Sequence, residues 1–354
     1  MSGRPTRTDT DDLRIARILP LVSPVVLMEE RPLPSRDALF LAESRRAIEE
    51  VLFGDDPRLL VVVGPCSIHD PAAALEYGRK LRAVADDLAD ALLVVMRVYF
   101  EKPRTVVGWK GLINDPGLDE SYRINDGLRK ARGLLLDLLS LGVPAGTEFL
   151  DTTLGQFYAD TVSWGAIGAR TAESQVHREL ASGLSMPVGI KNRTDGDIAV
   201  AIDAIRAARH RHLFPSLTKD GAPAILETCG NEACHIVLRG GATGPNYTAD
   251  HIARVRDRLH AVGLPEVIMV DASHGNSRKD PQHQVAVGDD VSRQLESGGS
   301  PIRGVMIESH LIGGRQDHDA GRPLVYGQSI TDACLSFDDT VLVLERLAVA
   351  ARRG

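Results

Sequence analysis

Eight short runs of almost uninterrupted apolar residues recur along the chain, with polar and amphipathic stretches between them. The runs cover residues 59–64, 92–98, 143–149, 166–170, 187–191, 235–240, 267–273 and 304–309. Parallel strands that are covered on both faces have this continuous apolar character, whereas half-exposed strands alternate. The pattern therefore predicts eight buried, parallel strands.

Segments with helical periodicity fill the intervals between these runs. Helices are predicted at residues 35–53, 71–88, 121–141, 153–163, 174–184, 196–209, 248–262, 281–295 and 331–353. Asp70 precedes the helix at 71–88 as an N-cap, and Gly142 follows the helix that ends at residue 141. Eight βα units in tandem predict an α/β fold of the TIM (β/α)8 barrel type rather than a doubly wound sheet.

Two segments do not fit the eightfold repeat. Residues 1–58 contain a proline-punctuated stretch, and residues at about 213–228 are predicted to form a β-hairpin insertion between helix 5 and strand 6, with its turn at Asp220-Gly221. Additions of this kind commonly serve as lids, oligomer contacts or regulatory elements. We therefore predict an N-terminal oligomer or regulatory arm at 1–58 and a catalytic barrel at 59–354.

The charge balance and the absence of certain motifs limit the classes of function. The 354 residues include 41 Lys and Arg against 48 Asp and Glu, a net charge of −7, which argues against nucleic-acid binding. No run approaches the ~18 apolar residues of a membrane span, and the polar N-terminus does not resemble a signal peptide. We expect a cytoplasmic protein without a membrane partner. The sequence contains no Walker motif, dinucleotide fingerprint or GxSxG elbow.

The four cysteines do not form a disulfide framework in a chain of this length. Cys229 and Cys234 match no common zinc-binding spacing and are predicted to be ordinary core or loop residues. Cys66 differs because it follows the first apolar run almost directly. It is either a buried core residue or part of a site at the carboxyl ends of the strands.

Each predicted strand ends at or next to a charged or ligating side chain. In chain order these are Cys66, Arg97, Glu148, Arg170, Lys191, Arg239, His274 and Glu308. One such residue is most simply explained as a hydrated surface group, but that explanation leaves the regularity of eight unexplained. Because the carboxyl ends of the strands carry the active site in a TIM barrel, the series predicts an active site there.

These side chains divide into a cationic group and a ligand group. The cationic group is Arg97, Arg170, Lys191 and Arg239, with Lys102 and Arg104 from the loop after strand 2. Converging guanidinium and ammonium groups suit phosphate and carboxylate oxygens. The ligand group is Cys66, His274 and Glu308, with Asp332 at the predicted start of the last helix. This mixed donor set favours a divalent transition ion over Ca²⁺, although Asp332 taken alone is better explained as a helix N-terminal charge.

Several long motifs resemble those of the microbial type I 3-deoxy-7-phosphoheptulonate (DAHP) synthases. They are GPCSIHDP (64–71), MRVYFEKPRTVVGWKGLINDP (96–116), SWGAIGARTAESQVHRELASGLS (163–185), GIKNRTDG (189–196), LRGGATGPNY (238–247), DASHGNS (271–277), GVMIESH (304–310) and SITDAC (329–334). The resemblance covers almost the whole chain. It implies a metal-dependent barrel enzyme that condenses phosphoenolpyruvate with erythrose 4-phosphate, the first step of the shikimate pathway.

The resemblance also implies residue roles. The metal ligands fall on Cys66, His274, Glu308 and Asp332, with Mn²⁺ as the expected ion and Fe²⁺, Co²⁺ or Zn²⁺ as alternatives. Phosphoenolpyruvate falls on Arg97, Lys102, Glu148, Ala169, Arg170, Lys191 and Arg239, and erythrose 4-phosphate on Lys102, Pro103, Arg104 and Thr105. Lys102 is the candidate proton donor to the new hydroxyl. Glu148 or a metal ligand is the candidate for positioning water, so the expected catalytic set is Lys102, Glu148, Cys66 and His274.

Members of this family bind an inhibitory aromatic amino acid. The resemblance places the effector site at Gln156, Ser185, Phe214 and Ser216. It also implies a homodimer or homotetramer, in which the arm that carries Asp11 and Asp12 folds over this site from a partner subunit. Ser216 favours phenylalanine as the inhibitor, with tyrosine as the alternative. In the same region, Leu154-Gly155-Gln156 stands where relatives commonly have Thr-Pro-Gln.

Two other functions compete with this interpretation. 3-Deoxy-octulosonate 8-phosphate synthase shares the phosphoenolpyruvate half of the site, but the KPRT and GWKG motifs argue against it. A catalytically silent relative that only senses an aromatic amino acid would lack at least one ligand or phosphate-binding residue. Since all of these residues are present, the sequence favours an active enzyme.

Overall fold

The computed structural model describes residues 11–104, 108–318 and 322–354. The first elements in chain order are α1 (Pro24–Glu30), α2 (Ser35–Phe53), β1 (Leu59–Gly64), α3 (Pro71–Asp87), β2 (Leu92–Arg97), α4 (Ile124–Ser140), β3 (Ala145–Glu148), α5 (Gly155–Tyr158), β4 (Trp164–Ile167), α6 (Gln175–Gly183) and β5 (Val188–Lys191). They are followed by α7 (Ala199–Ala208), β6 (Leu213–Leu217), β7 (Pro223–Glu227), β8 (Cys234–Leu238), α8 (Ala249–Ala261), β9 (Ile268–Asp271), α9 (His283–Glu296), β10 (Ile302–Glu308), β11 (Ile312–Arg315), β12 (Gln328–Ser329) and α10 (Phe337–Ala351).

Eight parallel strands close into a barrel in the order β1-β2-β3-β4-β5-β8-β9-β10, and β10 pairs with β1 to complete it. Side chains that alternate along β1 enter two different cores. Val61 and Val63 pack among the residues of the surrounding helices, whereas Leu60 and Val62 fill the barrel interior. Both faces of the strand are therefore buried, which explains the uninterrupted apolar runs. The predicted TIM barrel is confirmed.

Helix α2 covers the N-terminal ends of the strands. Ile48, Val51 and Leu52 of this helix belong to the same buried cluster as the interior strand residues. The Ser44 and Ser163 hydroxyls are 2.8 Å apart, and Arg45 donates a hydrogen bond to the Val162 carbonyl just ahead of β4. Because one end of the barrel is closed in this way, the opposite end is left for a site.

The hairpin between α7 and β8 is present as predicted. Strands β6 and β7 pair antiparallel from Leu213 opposite Glu227 to Leu217 opposite Pro223. The turn places Gly221 at a φ of +85°, where a side chain would be strained. Lys219 joins the hairpin to two neighbours, because its carbonyl accepts from the Val25 N–H at 2.7 Å and its Nζ donates to the Gln156 carbonyl at 2.6 Å.

The last helix begins at Phe337 and not at residue 331, so the placement of Asp332 at a helix start is wrong. The backbone before the helix is paired with distant residues instead. Leu335 donates to the Glu308 carbonyl at 2.9 Å, and the Gly314 N–H donates to the carbonyl of Cys334 at 2.8 Å. Ser336 then caps α10 by accepting from the Asp339 N–H. Asp332 therefore lies in a loop that long-range pairing holds in place.

Four smaller differences from the predicted elements concern helix starts, strand ends and loops. The helix predicted from residue 121 begins at Ile124, because Tyr122 has a φ of +50° that does not fit a helix. The helix predicted at 153–163 is only α5 followed by a 3₁₀ turn. The fourth strand ends at Ile167, so Arg170 lies on the loop that follows it. The short strands β11 and β12 were not predicted.

Two other predictions can be compared with the structure. Asp70 caps α3 as expected, because its carboxylate accepts from the backbone N–H groups of Ala72 and Ala73 at 2.8 and 3.3 Å. Among the described residues, no helix has both the length and the apolar character needed to span a bilayer.

Candidate active site

A cavity of about 940 Å³ opens at the C-terminal ends of the barrel strands. The predicted site residues that line it are Arg97, Lys102, Pro103, Arg104, Glu148, Ala169, Arg170, Lys191, Arg239, His274 and Asp332. Cys66 and Glu308 are fully buried behind the wall, where they face Asp332 and His274 respectively. Thr105 lies outside the described residues. The structure thus gathers side chains from the ends of six strands in the cavity wall and places those from the other two, Cys66 and Glu308, behind it.

The predicted ligand atoms converge at one side of this cavity. The donor atoms of Cys66, Glu308 and Asp332 all lie within 4.8 Å of one another. Cys66 Sγ is 3.6 Å from Asp332 Oδ2, and His274 Nε2 is 3.7 Å from Glu308 Oε1. A thiol and two carboxylates at these separations, with an imidazole nitrogen beside one of the carboxylates, fit a divalent transition ion. The donor set therefore suits the metal that the sequence predicts.

Local backbone geometry brings these donors together. Gly64, the last residue of β1, has a φ of +155°, and a Cβ there would approach the Arg97 carbonyl to 2.7 Å. This glycine allows the chain to pass close to β2 before it reaches Cys66. His274 follows β9 with a φ of +56°, an uncommon conformation for a residue with a side chain. Unusual backbone angles of this kind cluster at functional sites, where the surrounding structure enforces them.

Lys102 places a cation directly beside the thiol of the ligand group. Its Nζ lies 3.1 Å from Cys66 Sγ and 3.3 Å from the Cys66 carbonyl oxygen. Burial raises the pKa of the Cys66 thiol to about 11, and the charge of Glu308 adds to this effect. Burial opposes the charge on Lys102, but the neighbouring Cys66 and Glu308 raise its pKa above the usual value. Lys102 therefore carries a proton at neutral pH.

Arg97 holds a buried position at the floor of the cavity. Its guanidinium donates to Glu308 Oε1 at 3.0 Å and to the carbonyls of Pro65 and Cys66 at 3.2 Å. The guanidinium carbon lies 3.5 Å from the centre of the Tyr99 ring, a cation–π contact. Arg97 thus orients the Glu308 carboxylate while it also lines the cavity.

Glu148 supplies a carboxylate to the cavity wall in addition to that of Asp332. It is the last residue of β3 and is only 7% exposed. A Cβ at Gly168, on the loop after β4, would overlap the Glu148 carboxylate. The glycine therefore leaves room for this acid beside the loop that carries Ala169 and Arg170.

Two buried residues that hold the site in place were missed in the sequence. Asp271, the last residue of β9, accepts from Lys191 Nζ at 2.8 Å and lies 3.0 Å from His274 Nδ1. Burial opposes its charge, but Lys191 and His274 outweigh burial and hold the pKa of Asp271 well below its usual range. Asn192 is the second of these residues, and its Oδ1 accepts a hydrogen bond from the backbone N–H of Arg239 at 2.8 Å. The available signal was an acidic residue inside an apolar run, which is not expected unless it is paired.

A second cavity, of about 640 Å³, lies between the hairpin, α5 and α6. All four residues predicted for the effector site line it, namely Gln156, Ser185, Phe214 and Ser216. Its wall also contains the apolar side chains of Leu180, Leu184 and Leu226 and the charged side chains of Arg45, Asp160, Lys219 and Glu227. The cavity thus combines an apolar surface with charges of both signs.

Comparison with known proteins gives one consistent result. The DAHP synthetase I family matches residues 37–345. The Phe-sensitive phospho-2-dehydro-3-deoxyheptonate aldolase of Escherichia coli (strain K12) is 58% identical over 346 residues, which are 97% of this chain and 99% of that protein. The Trp-sensitive enzyme of Salmonella typhimurium (strain LT2) is 55% identical over 341 residues, 96% of this chain and 98% of that protein.

A solved structure agrees with this result. The phospho-2-dehydro-3-deoxyheptonate aldolase from Francisella tularensis SCHU S4 superimposes with a TM-score of 0.94 at 50% identity, over 96% of this chain and 99% of that one. Sequence similarity, barrel architecture and the contents of the cavity all lead to the same assignment. The chain belongs to the DAHP synthetase I family.

Proposed function

We propose that this chain condenses phosphoenolpyruvate with D-erythrose 4-phosphate and water to give 3-deoxy-D-arabino-heptulosonate 7-phosphate and phosphate. This is the first step of the shikimate pathway for aromatic amino acids. One observation carries the proposal: at the mouth of the barrel, the clustered donors of Cys66, Glu308 and Asp332, with His274 beside Glu308, adjoin a cavity that is lined by cationic side chains. Family membership supports the same reaction.

The cavity offers a binding partner for each charged group of the substrates. Arg97, Arg170, Lys191 and Arg239 would hold the phosphate and carboxylate of phosphoenolpyruvate, with Ala169 beside them. Lys102, Pro103, Arg104 and Thr105 would hold erythrose 4-phosphate. Cys66, His274, Glu308 and Asp332 would hold one divalent ion, which supplies a Lewis acid for a carbonyl oxygen. We propose Mn²⁺ for this position, with Fe²⁺, Co²⁺ or Zn²⁺ as alternatives that the same donors accept.

The protein side chains account for binding, orientation and proton transfer. Fixing both substrates aims the methylene carbon of phosphoenolpyruvate at the aldehyde carbon and makes the step effectively intramolecular. Lys102 donates a proton to the aldehyde oxygen as the new carbon–carbon bond forms and the oxygen becomes a hydroxyl. Glu148 positions the water that adds to the former enol carbon. The proton that this water loses on addition balances the one that Lys102 gave up. In the hemiketal phosphate that results, the bond from this carbon to the phosphate oxygen breaks as the hydroxyl becomes the keto group, and its proton leaves with the phosphate.

A phosphate-release assay tests the reaction directly. We expect phosphate to be released only when both substrates are present, with one phosphate for each phosphoenolpyruvate consumed. Chelation should abolish turnover and Mn²⁺ should restore it, because the donors converge on one ion. Arabinose 5-phosphate serves as the comparison substrate. Failure to see metal-dependent release would overturn the proposal, and a faster rate with arabinose 5-phosphate would assign the chain to octulosonate synthesis.

We further propose that the second cavity binds an aromatic amino acid that inhibits the enzyme, either phenylalanine or tyrosine. Such a ligand carries an ammonium, a carboxylate and an aromatic ring, and the cavity offers Asp160, Lys219 and the ring of Phe214.

We also propose that the chain forms a homo-oligomer, a dimer or a tetramer. The apolar side chains of the stretch 13–21 support this, because five of them are each between 45% and 81% exposed, namely Leu13, Ile15, Ile18, Leu19 and Leu21.

Titration of each aromatic amino acid against activity tests the effector proposal. We expect phenylalanine or tyrosine to inhibit, and Phe214→Ala to raise the half-inhibitory concentration at least about tenfold because an aromatic contact is lost. Leu213→Ala is the control, since this neighbouring side chain points outward and is 56% exposed. Three flat curves with the unmodified chain would refute regulation, and inhibition by tryptophan alone would correct the choice of effector.

A further inference from the structure

The carboxylate of Asp271 contacts both halves of the proposed active site. Its Oδ2 accepts from Lys191 Nζ at 2.8 Å and lies 3.0 Å from His274 Nδ1, and the residue is completely buried. Lys191 lines the part of the cavity assigned to phosphoenolpyruvate, and His274 belongs to the metal group. We propose that Asp271 is a positioning residue that fixes the metal-binding tautomer of His274 and the orientation of Lys191. This inference rests on the proposed function of these two residues.

The hydrogen bonds around Asp271 determine which nitrogen of His274 carries the proton. Ser273 Oγ lies 2.5 Å from Asp271 Oδ1, and a carboxylate only accepts, so the Ser273 hydroxyl donates its single proton there. Its oxygen is then left to accept from His274 Nδ1, which is 2.7 Å away. The second neighbour of Nδ1 is Asp271 Oδ2, which also only accepts. Both contacts therefore require the proton on Nδ1.

The consequence for His274 is a lone pair on Nε2. This nitrogen faces the metal group, 3.7 Å from Glu308 Oε1. A neutral imidazole binds a metal through its unprotonated nitrogen, and a carboxylate on the other nitrogen fixes the ring and raises its basicity. Removing Asp271 would leave Nδ1 without its charged acceptor, and the other tautomer would then present a proton to the metal position.

The consequence for Lys191 is a fixed ammonium. The side chain is only 4% exposed, and a buried cation is unfavourable without a charged partner. Asp271 supplies that charge and takes one of the three N–H donors, which leaves the others for an anion in the cavity. The ammonium also lies 5.9 Å from the centre of the Tyr99 ring. The bond to Asp271 thus sets the direction in which Lys191 points.

Ser273 separates the two effects. Its hydroxyl bonds Asp271 and His274, whereas Lys191 contacts Oδ2 of the carboxylate. Ser273→Ala should therefore disturb the histidine alone, and Asp271→Asn should disturb both the histidine and the lysine. Ser292→Ala provides a matched control, because it removes a buried hydroxyl that bonds only the Gly288 carbonyl within α9.

The test measures binding without turnover, so its outcome is independent of the proposed reaction. Co²⁺ affinity is determined from its visible absorption spectrum, and phosphoenolpyruvate affinity by calorimetry on the metal-loaded protein. For Asp271→Asn we expect Co²⁺ binding about 10- to 100-fold weaker with an altered spectrum, and phosphoenolpyruvate binding about tenfold weaker. For Ser273→Ala we expect weaker Co²⁺ binding, by about tenfold, with phosphoenolpyruvate binding unchanged. Ser292→Ala should change neither.

Opposite results would overturn the inference. Unchanged Co²⁺ affinity and spectrum in folded Asp271→Asn would refute the fixed tautomer, whereas the same result in Ser273→Ala would refute only the part assigned to the serine, because Asp271 Oδ2 still accepts from His274 Nδ1 there. If Asp271→Asn does not fold, Asp271→Glu, which keeps the charge and displaces the carboxylate, takes its place with the same criterion. Phosphoenolpyruvate binding that is unchanged or tighter in folded Asp271→Asn would show that the carboxylate only offsets the charge of Lys191. Equal weakening of both ligands in Ser273→Ala would indicate general disruption of the site.

Discussion

Cys66→Ala is expected to lower metal-dependent kcat/KM by about three orders of magnitude while leaving the barrel folded. Cys66 Sγ stands within 4.8 Å of the donor atoms of Glu308 and Asp332, so the variant removes one of the three donors that lie this close together. A Lewis acid that stabilises the developing charge is worth several kcal/mol, and about 4 kcal/mol corresponds to a thousandfold change in rate. The residue lies beyond the end of β1, where no strand pairing depends on its side chain.

Cys234→Ala is the control for this variant. Cys234 is a buried cysteine as well, but it lies at the start of β8, at the opposite end of the barrel from the site. We expect it to cost about 1 kcal/mol of unfolding free energy and to leave metal content and turnover unchanged. Metal content by mass spectrometry, steady-state kinetics and thermal unfolding separate the two cases. A fully active Cys66→Ala variant would return Cys66 to the role of a core residue.

The barrel was predictable because its signal is spread over the whole sequence. Runs such as 59–64 are apolar at every position because one set of side chains meets the helices and the other fills the interior. The hairpin was predictable for a local reason, since Asp220-Gly221 between two apolar segments favours a tight turn. Each apolar run and the turn is a local signal, and the barrel follows from the repetition of the runs along the chain.

The location of the site was predictable from the residue type at each strand end. In a closed parallel barrel all strand ends point to the same face, so a residue at each end is brought to one cavity whatever the helices between them do. This argument needs only the order of the strands. It placed Lys191 and His274, 83 residues apart, at the same cavity without any knowledge of their contacts.

Features that depend on long-range contacts were not predictable. Asp332 was placed at the start of a helix because its local sequence permits one, but pairing of Leu335 with Glu308 delays the helix to Phe337. Asp271 was overlooked because its role arises from Lys191, which is 80 positions earlier in the chain. Local propensity and periodicity contain no information about either partner.

Lys102→Met is expected to lower kcat by about 10²- to 10³-fold, with a smaller increase in the KM for phosphoenolpyruvate. The substitution keeps the length of the side chain and removes the ammonium, whose Nζ is 3.1 Å from Cys66 Sγ at the edge of the metal group. A positioned general acid contributes about 10²- to 10⁴-fold to a rate. Since this ammonium would protonate the aldehyde oxygen as the carbon–carbon bond forms, the loss should appear mainly in the chemical step.

Lys110→Met separates loss of the proton donor from loss of any positive charge in this loop. Lys110 is exposed, does not line the cavity, and contacts Lys102 through its backbone carbonyl, which accepts from the Lys102 N–H at 2.9 Å. The control should therefore keep its kcat within about twofold. Because Lys102 also lines the substrate cavity, a rise in KM with unchanged kcat would make it a binding residue only. Near-normal turnover of Lys102→Met at saturating substrate would exclude Lys102 as the proton donor, and another acid at the cavity would then have to supply the proton.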